Sequence, residues 1–76
     1  MTRIVIIDDD CNVREYMRII IERTNGEFKI IGEAYDGLEG LTVIEELMPD
    51  ILILDIEMPS INGIELLQEL ENKGIT

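Results

Sequence analysis

Seventy-six residues allow one small domain, and a hydrophobic share of 46% is enough for a core and too high for a disordered segment. Seventeen acids against six bases give a net charge of −11, which a nucleic-acid backbone would repel, and no run of Lys or Arg offers a local exception. The absence of histidine excludes a His-based metal site, a Ser/His or Cys/His nucleophile pair and a phosphohistidine carrier.

The single cysteine, Cys11, excludes an internal disulfide and fits a reducing cytoplasm. The start MTRIVIIDDD has no long apolar stretch before a cleavage site, and no segment reaches the roughly 20 apolar residues of a membrane span. The expectation is an acidic, soluble, cytoplasmic protein that binds neither nucleic acid nor membrane.

In chain order, Arg3–Ile7 (RIVII) reads as a short strand apolar on both faces and ending in three acids. From Asn12 the spacing turns helical: Val13, Tyr16, Met17, Ile20 and Ile21 share one face, and Arg14, Glu15, Arg18 and Glu22 lie largely opposite. Asp9, Asp10 or Asn12 can cap the first turn, and Asn25-Gly26 stops the helix. Phe28–Ala34 (FKIIGEA) is a second, more polar strand suited to a sheet edge, followed by the Asp36-Gly37 punctuation.

A second helix carries Leu38, Leu41, Ile44, Leu47 and Met48, and Pro49 closes it. Ile51–Leu54 (ILIL) is the most apolar run and stops abruptly at Asp55. After the loop EMPSING, Asn62 is a candidate cap for a last helix bearing Ile64, Leu67 and Leu70, ended by Gly74. The β-α-β-α-β-α order with short connections predicts a parallel sheet with right-handed crossovers. Met17, Met48 and the aliphatic stripes are assigned to the core. Glu39, Glu45 and Glu46, like Glu65, Glu69 and Glu71, are assigned to solvated helix faces, and Cys11 to an ordinary packed or partly exposed position.

Ligands of parallel α/β sheets gather beyond the carboxyl ends of the strands. The first strand ends in Asp8, Asp9 and Asp10 and the third in Asp55, so neighbouring strands would bring three or four carboxylates to one crevice. Their mutual repulsion calls for a hard, oxygen-seeking cation, for which Mg²⁺ is suited. Open coordination positions could then hold phosphoryl oxygens, with one carboxylate left as a nucleophile. Acids at strand ends also cap helices or sit solvated, a reading that fits the DDD run better than it fits Asp55.

These residues resemble the first part of a bacterial response-regulator receiver domain, the phosphoacceptor module of two-component phosphorelay signalling. IVIIDDD is similar to the first strand with its acidic pair, and Asp55, Met58, Pro59 and Gly63 fit the family spacing D-x-x-M-P-x-x-x-G. GEAYDG and MPDILILD extend the resemblance from about Arg3 to Lys73.

The resemblance implies an α/β fold, a truncated flavodoxin-like (βα)₃ with a parallel sheet of strand order 2-1-3 and flanking helices. Residues 1–76 would form a partial receiver domain with no effector domain. By the same resemblance Asp55 would be the aspartate phosphorylated by a sensor histidine kinase. Asp9 would bind Mg²⁺ directly, Asp8 would help through water, and Glu57 would lend its backbone carbonyl. Asp10 carries no such role beyond a possible cap. The resemblance also implies a signalling role rather than an enzymatic one.

Full receivers have five βα units, and the family's Ser/Thr after strand four and Lys after strand five have no counterpart here; Lys73 lies on the wrong element. Left at an edge, ILIL would expose apolar side chains and unpaired backbone groups, so a homodimer through the third strand or by exchange of elements is expected. The alternative reading is a phosphorylation-silent receiver fragment acting as a protein–protein association module. A haloacid-dehalogenase-like D-x-D motif is broken at Asn12. An EF-hand loop fails because Val13 and Ile19 stand where Gly and Glu are required.

Overall fold

Strand β1, Thr2–Ile7, lies at the centre of a three-stranded parallel sheet, with β2 (Phe28–Ala34) on one side and β3 (Ile51–Leu54) on the other. The structure is a computed structural model and describes residues 1–55 and 63–74. The spatial order β2-β1-β3 is the 2-1-3 arrangement expected from the sequence, with β2 at an edge. Helices α1 (Cys11–Glu22), α2 (Gly37–Leu47) and α3 (Gly63–Asn72) complete the described elements. No helix among them is long and apolar enough to cross a membrane.

The register sorts the side chains onto two faces. Ile7 pairs with Ala34 and Leu54, and Ile6 pairs with Glu33 and Ile53. Val5, Ile7, Ala34, Leu52 and Leu54 therefore share one face, and Ile4, Ile6, Glu33, Ile51 and Ile53 share the other. A register shift between Ile4 and Val5 gives β2 one extra residue, Ile31, which packs against the core cluster.

Helices α2 and α3 cover the first face. Ile44, Leu66 and Leu70 are buried there with Val5 and Ile7, and Leu66 is 0% exposed. Two glycines permit the close approach of α2 to the sheet. A Cβ on Gly40 would lie 2.5 Å from Ile7 Cδ1, and one on Gly32 would lie 2.8 Å from Leu47 Cδ1. Asp36 caps α2 by accepting from the Glu39 N–H at 2.8 Å, and Met48 ends the helix in the left-handed region at φ 46°. The Arg3 guanidinium donates to the terminal carbonyls of Leu47 and Met48, tying that end to β1. Lys73 pairs with Glu45 at 3.2 Å and joins α3 to α2, and Gly74 closes α3 at φ 72°.

The three apolar stripes read from the sequence are displaced. On α3 the buried positions are Gly63, Leu66 and Leu70, while the expected Ile64 and Leu67 are exposed. On α2, Leu38 and Met48 are exposed, because the contact line runs through Gly40, Val43, Ile44 and Leu47. Met48, assigned to the core, is 53% exposed as the residue that unwinds the helix.

On α1 no residue is buried: Tyr16 is 65% exposed, and Val13, Ile19 and Ile20 are exposed as well. The half-buried positions are Arg14, Met17, Arg18 and Ile21, so Met17 and Ile21 lie inward as expected, joined by two arginines that the sequence assigned to solvent. Glu33, on the α1 side of β2, draws both arginines inward. Helix α1 ends at Glu22, ahead of the expected Asn25-Gly26 stop, with Arg23 as cap; Asn25 and Gly26 form the positive-φ turn that follows. Glu39, assigned to a solvated face, turns its carboxylate back to the Tyr35 N–H at 3.3 Å.

Candidate functional site

The backbone ladder continues one residue past the ends of β1 and β3. The Asp8 N–H donates to Ala34 O at 3.1 Å, and the Asp55 N–H donates to Ile7 O at 2.9 Å. Asp8 and Asp55 therefore leave neighbouring strands at the same edge, the carboxyl-end crevice where parallel sheets bind ligands. The Asp10 N–H donates to Asp8 Oδ1 at 2.9 Å, and Asp10 Oδ1 accepts from the Asn12 N–H at 2.9 Å. Of the candidates for the first cap, Asp10 is the one that caps α1, and it stands outside the acidic cluster.

Asp8, Asp9 and Asp55 each offer a carboxylate oxygen, and these oxygens lie within 4.8 Å of one another. Asp8 and Asp55 are half-buried and Asp9 is exposed. Two unit charges at that distance repel by about 3–4 kcal/mol at an effective dielectric near 20, before screening by salt. An all-oxygen, all-anionic donor set fits a hard cation that retains several waters, as Mg²⁺ does. Oxygens bound to one Mg²⁺ at about 2.1 Å stand at most about 4.2 Å apart, so this cluster is near coordination distance. Glu57, expected to lend a carbonyl, lies outside the described residues, as do Met58, Pro59 and the expected cap Asn62.

A polar assembly beside the cluster was not anticipated from the sequence. Arg14 Nη1 donates to the backbone carbonyl of Asp8 at 2.5 Å, and Arg14 Nε donates to Glu33 Oε1 at 3.2 Å. The other Glu33 oxygen accepts from Arg18 Nη2, and Arg18 Nη1 reaches Glu15 at 2.9 Å. The hydrogen bond that Arg18 donates to Glu33, together with the Glu33 charge, holds Arg18 above its ordinary pKa, with burial opposing. One signal was available in the sequence: Glu33 is the acid of β2, with two arginines at i, i+4 spacing on the preceding helix.

The profile of the response regulator receiver domain matches residues 4–76. The chain belongs to that family. It is 38% identical over 76 residues to the Bacillus subtilis transcriptional regulatory protein YdfI, covering 100% of this chain and 35% of YdfI. A Thermotoga maritima protein-glutamate methylesterase/protein-glutamine glutaminase is 39% identical over 74 residues, 97% of this chain and 21% of that protein. The solved response regulator domain of Thermotoga maritima CheB superposes with a TM-score of 0.92 at 38% identity, over 100% of this chain and 56% of that one. A LuxR-family DNA-binding response regulator from Staphylococcus aureus gives 0.88 at 36% identity, over 99% and 62%.

This receiver chain thus spans about a third or less of the curated relatives and 56–62% of the two solved chains. Receivers are signalling domains that interact with sensor histidine kinases and generally bind Mg²⁺ at an acidic pocket; enzymatic relatives owe their activity to other domains. The fold is the corresponding portion of the flavodoxin-like receiver, with the 2-1-3 sheet and three helices.

Proposed function

We infer that this chain is the phosphoacceptor part of a cytoplasmic two-component phosphorelay, taking a phosphoryl group from a sensor histidine kinase onto Asp55. The observation that carries the reading is the convergence of Asp8, Asp9 and Asp55 beyond the adjacent ends of β1 and β3. An Asp55 oxygen forms the new O–P bond as the N–P bond of the kinase phosphohistidine breaks, the imidazole nitrogen keeping the electron pair. Asp8, Asp9, Asp55 and the Glu57 carbonyl would hold Mg²⁺. Bound there, the cation supplies the positive charge that lets an anionic phosphoryl group approach a cluster of carboxylates. Residues 1–76 serve as part of a receiver domain, and phosphorylation biases a conformational equilibrium read by another domain or partner.

The test is intact-mass spectrometry after incubation with acetyl phosphate and Mg²⁺. A phosphoryl adduct on the parent chain that is lost in Asp55→Asn is expected. A folded parent that takes no adduct would overturn acceptor chemistry for this chain and leave a protein–protein association module.

Self-association is part of the same proposal. Strand β3 lies at the edge of the described sheet, its four apolar residues are at most half-buried, and Ile51 is exposed. A second copy pairing along this edge, or exchanging elements across it, would satisfy its open backbone groups. Light scattering at micromolar concentration should give a dimer, and a clean monomer would reject the idea.

A further inference from the structure

Asp8 is fixed through three separate groups: its N–H by Ala34 O, its Oδ1 by the Asp10 N–H, and its backbone carbonyl by Arg14. The third differs in kind, because it is made by a charged side chain from a different element. The Asp8 carbonyl belongs to the peptide unit that joins Asp8 to Asp9. Whatever holds that carbonyl sets the plane from which the Asp9 side chain departs. The Arg14 guanidinium is in turn held by Glu33 across the helix–sheet interface. The arginine and glutamate side chains are 19% and 22% exposed, so solvent competes only partly for these bonds.

We propose that Arg14 is a positioning residue for the divalent-cation site, acting through the Asp8–Asp9 peptide unit, and that Glu33 positions Arg14. The inference rests on the reading of Asp8, Asp9 and Asp55 as a cation site. A planar guanidinium can donate to Glu33 through Nε and to the Asp8 carbonyl through Nη1 at once, which couples strand β2 to the turn after β1. A lysine keeps the charge but has no fixed fork, so it cannot reproduce both bonds in that geometry. Groups that orient metal ligands from behind commonly carry about tenfold or more of the metal affinity.

The experiment is titration of the parent chain, Arg14→Lys, Glu33→Gln and Arg3→Lys with Mn²⁺ alone, free Mn²⁺ being read by electron paramagnetic resonance. Each variant is first shown to be folded by circular dichroism. Arg14→Lys should raise the dissociation constant about tenfold, with a smaller rise for Glu33→Gln. In Arg14→Lys without metal, the Asp9 amide resonance, on the same peptide unit as the Asp8 carbonyl, should move.

Arg3→Lys is the control. Arg3 also donates to backbone carbonyls, those of Leu47 and Met48, but at the opposite end of β1. It should lower the melting temperature and leave Mn²⁺ binding unchanged. Unchanged affinity in a folded Arg14→Lys overturns the inference, and so does an equal loss in Arg3→Lys, which would mark a global effect of stability. If Arg14→Lys does not fold, Glu33→Gln decides by the same criterion. A parent chain that binds no Mn²⁺ defeats the cation-site reading itself, and that outcome is distinct from the other two.

Discussion

The two faces of the sheet are built on different principles. Under α2 and α3 the contact is apolar and close: Ile44, Leu66 and Leu70 are buried against Val5 and Ile7, and Gly32 and Gly40 remove the Cβ atoms that would hold α2 off. Under α1 the contact is mixed and partial: Ile4 and Ile6 are buried on that face, and an ionic assembly joins them there. Arg14 and Arg18 converge on Glu33 while Val13, Tyr16, Ile19 and Ile20 face outward. One face supplies most of the apolar burial. The other ties a helix to the turn that presents Asp8 and Asp9. Most of the apolar burial and the bonds that hold the Asp8–Asp9 turn therefore lie on opposite sides of the same three strands.

The largest expected effect on this comparison is Leu66→Ala, which removes a fully buried side chain. It should cost about 2–5 kcal/mol in urea unfolding, a loss that a domain this small can scarcely absorb. Next is Gly40→Ala: crowding Ile7 should cost about 1–3 kcal/mol. Up to about 1 kcal/mol is offset by the better helix propensity of alanine. Glu33→Gln should destabilise less than either, and its effect should shrink in high salt, because the side chain of one partner, Arg18, is 37% exposed.

The smallest effect should come from Ile20→Ala on the open flank of α1, within about 0.5 kcal/mol of the parent. A cost for Ile20→Ala as large as that for Leu66→Ala would break the comparison, since it would mean that α1 is covered in solution. Light scattering on the same samples would then show whether a second copy provides the cover.

The elements and their order were legible because each relied on local chemistry. RIVII and ILIL are strands by β-branched apolar composition, and Asp36 caps α2 by its short acceptor side chain. The placement of acids at the ends of β1 and β3 was also legible, since DDD and Asp55 each end an apolar run. The helix faces were less so. A stripe at three-and-four spacing fixes an apolar sector to within about one residue, and several neighbouring sectors of α1 and α3 are apolar enough to qualify. Which sector turns inward depends on what the sheet presents. On the α1 side it presents Glu33, so the arginines turn in and Tyr16 turns out.

By itself, then, the sequence determined a three-stranded α/β chain of receiver type, the acids at two strand ends and the acidic, histidine-free chemistry of the surface. Local propensity, periodicity and motif spacing act over a few residues and survive reading in one dimension. Only the tertiary structure decided that Asp8, Asp9 and Asp55 meet, and that Arg14 ties Glu33 to the Asp8 carbonyl. Those outcomes depend on the parallel pairing of β1 with β2 and β3. That pairing brings Glu33 to Arg14, nineteen positions away, and Asp55 to Asp8 and Asp9 from still further along the chain, contacts that short-range periodicity does not fix.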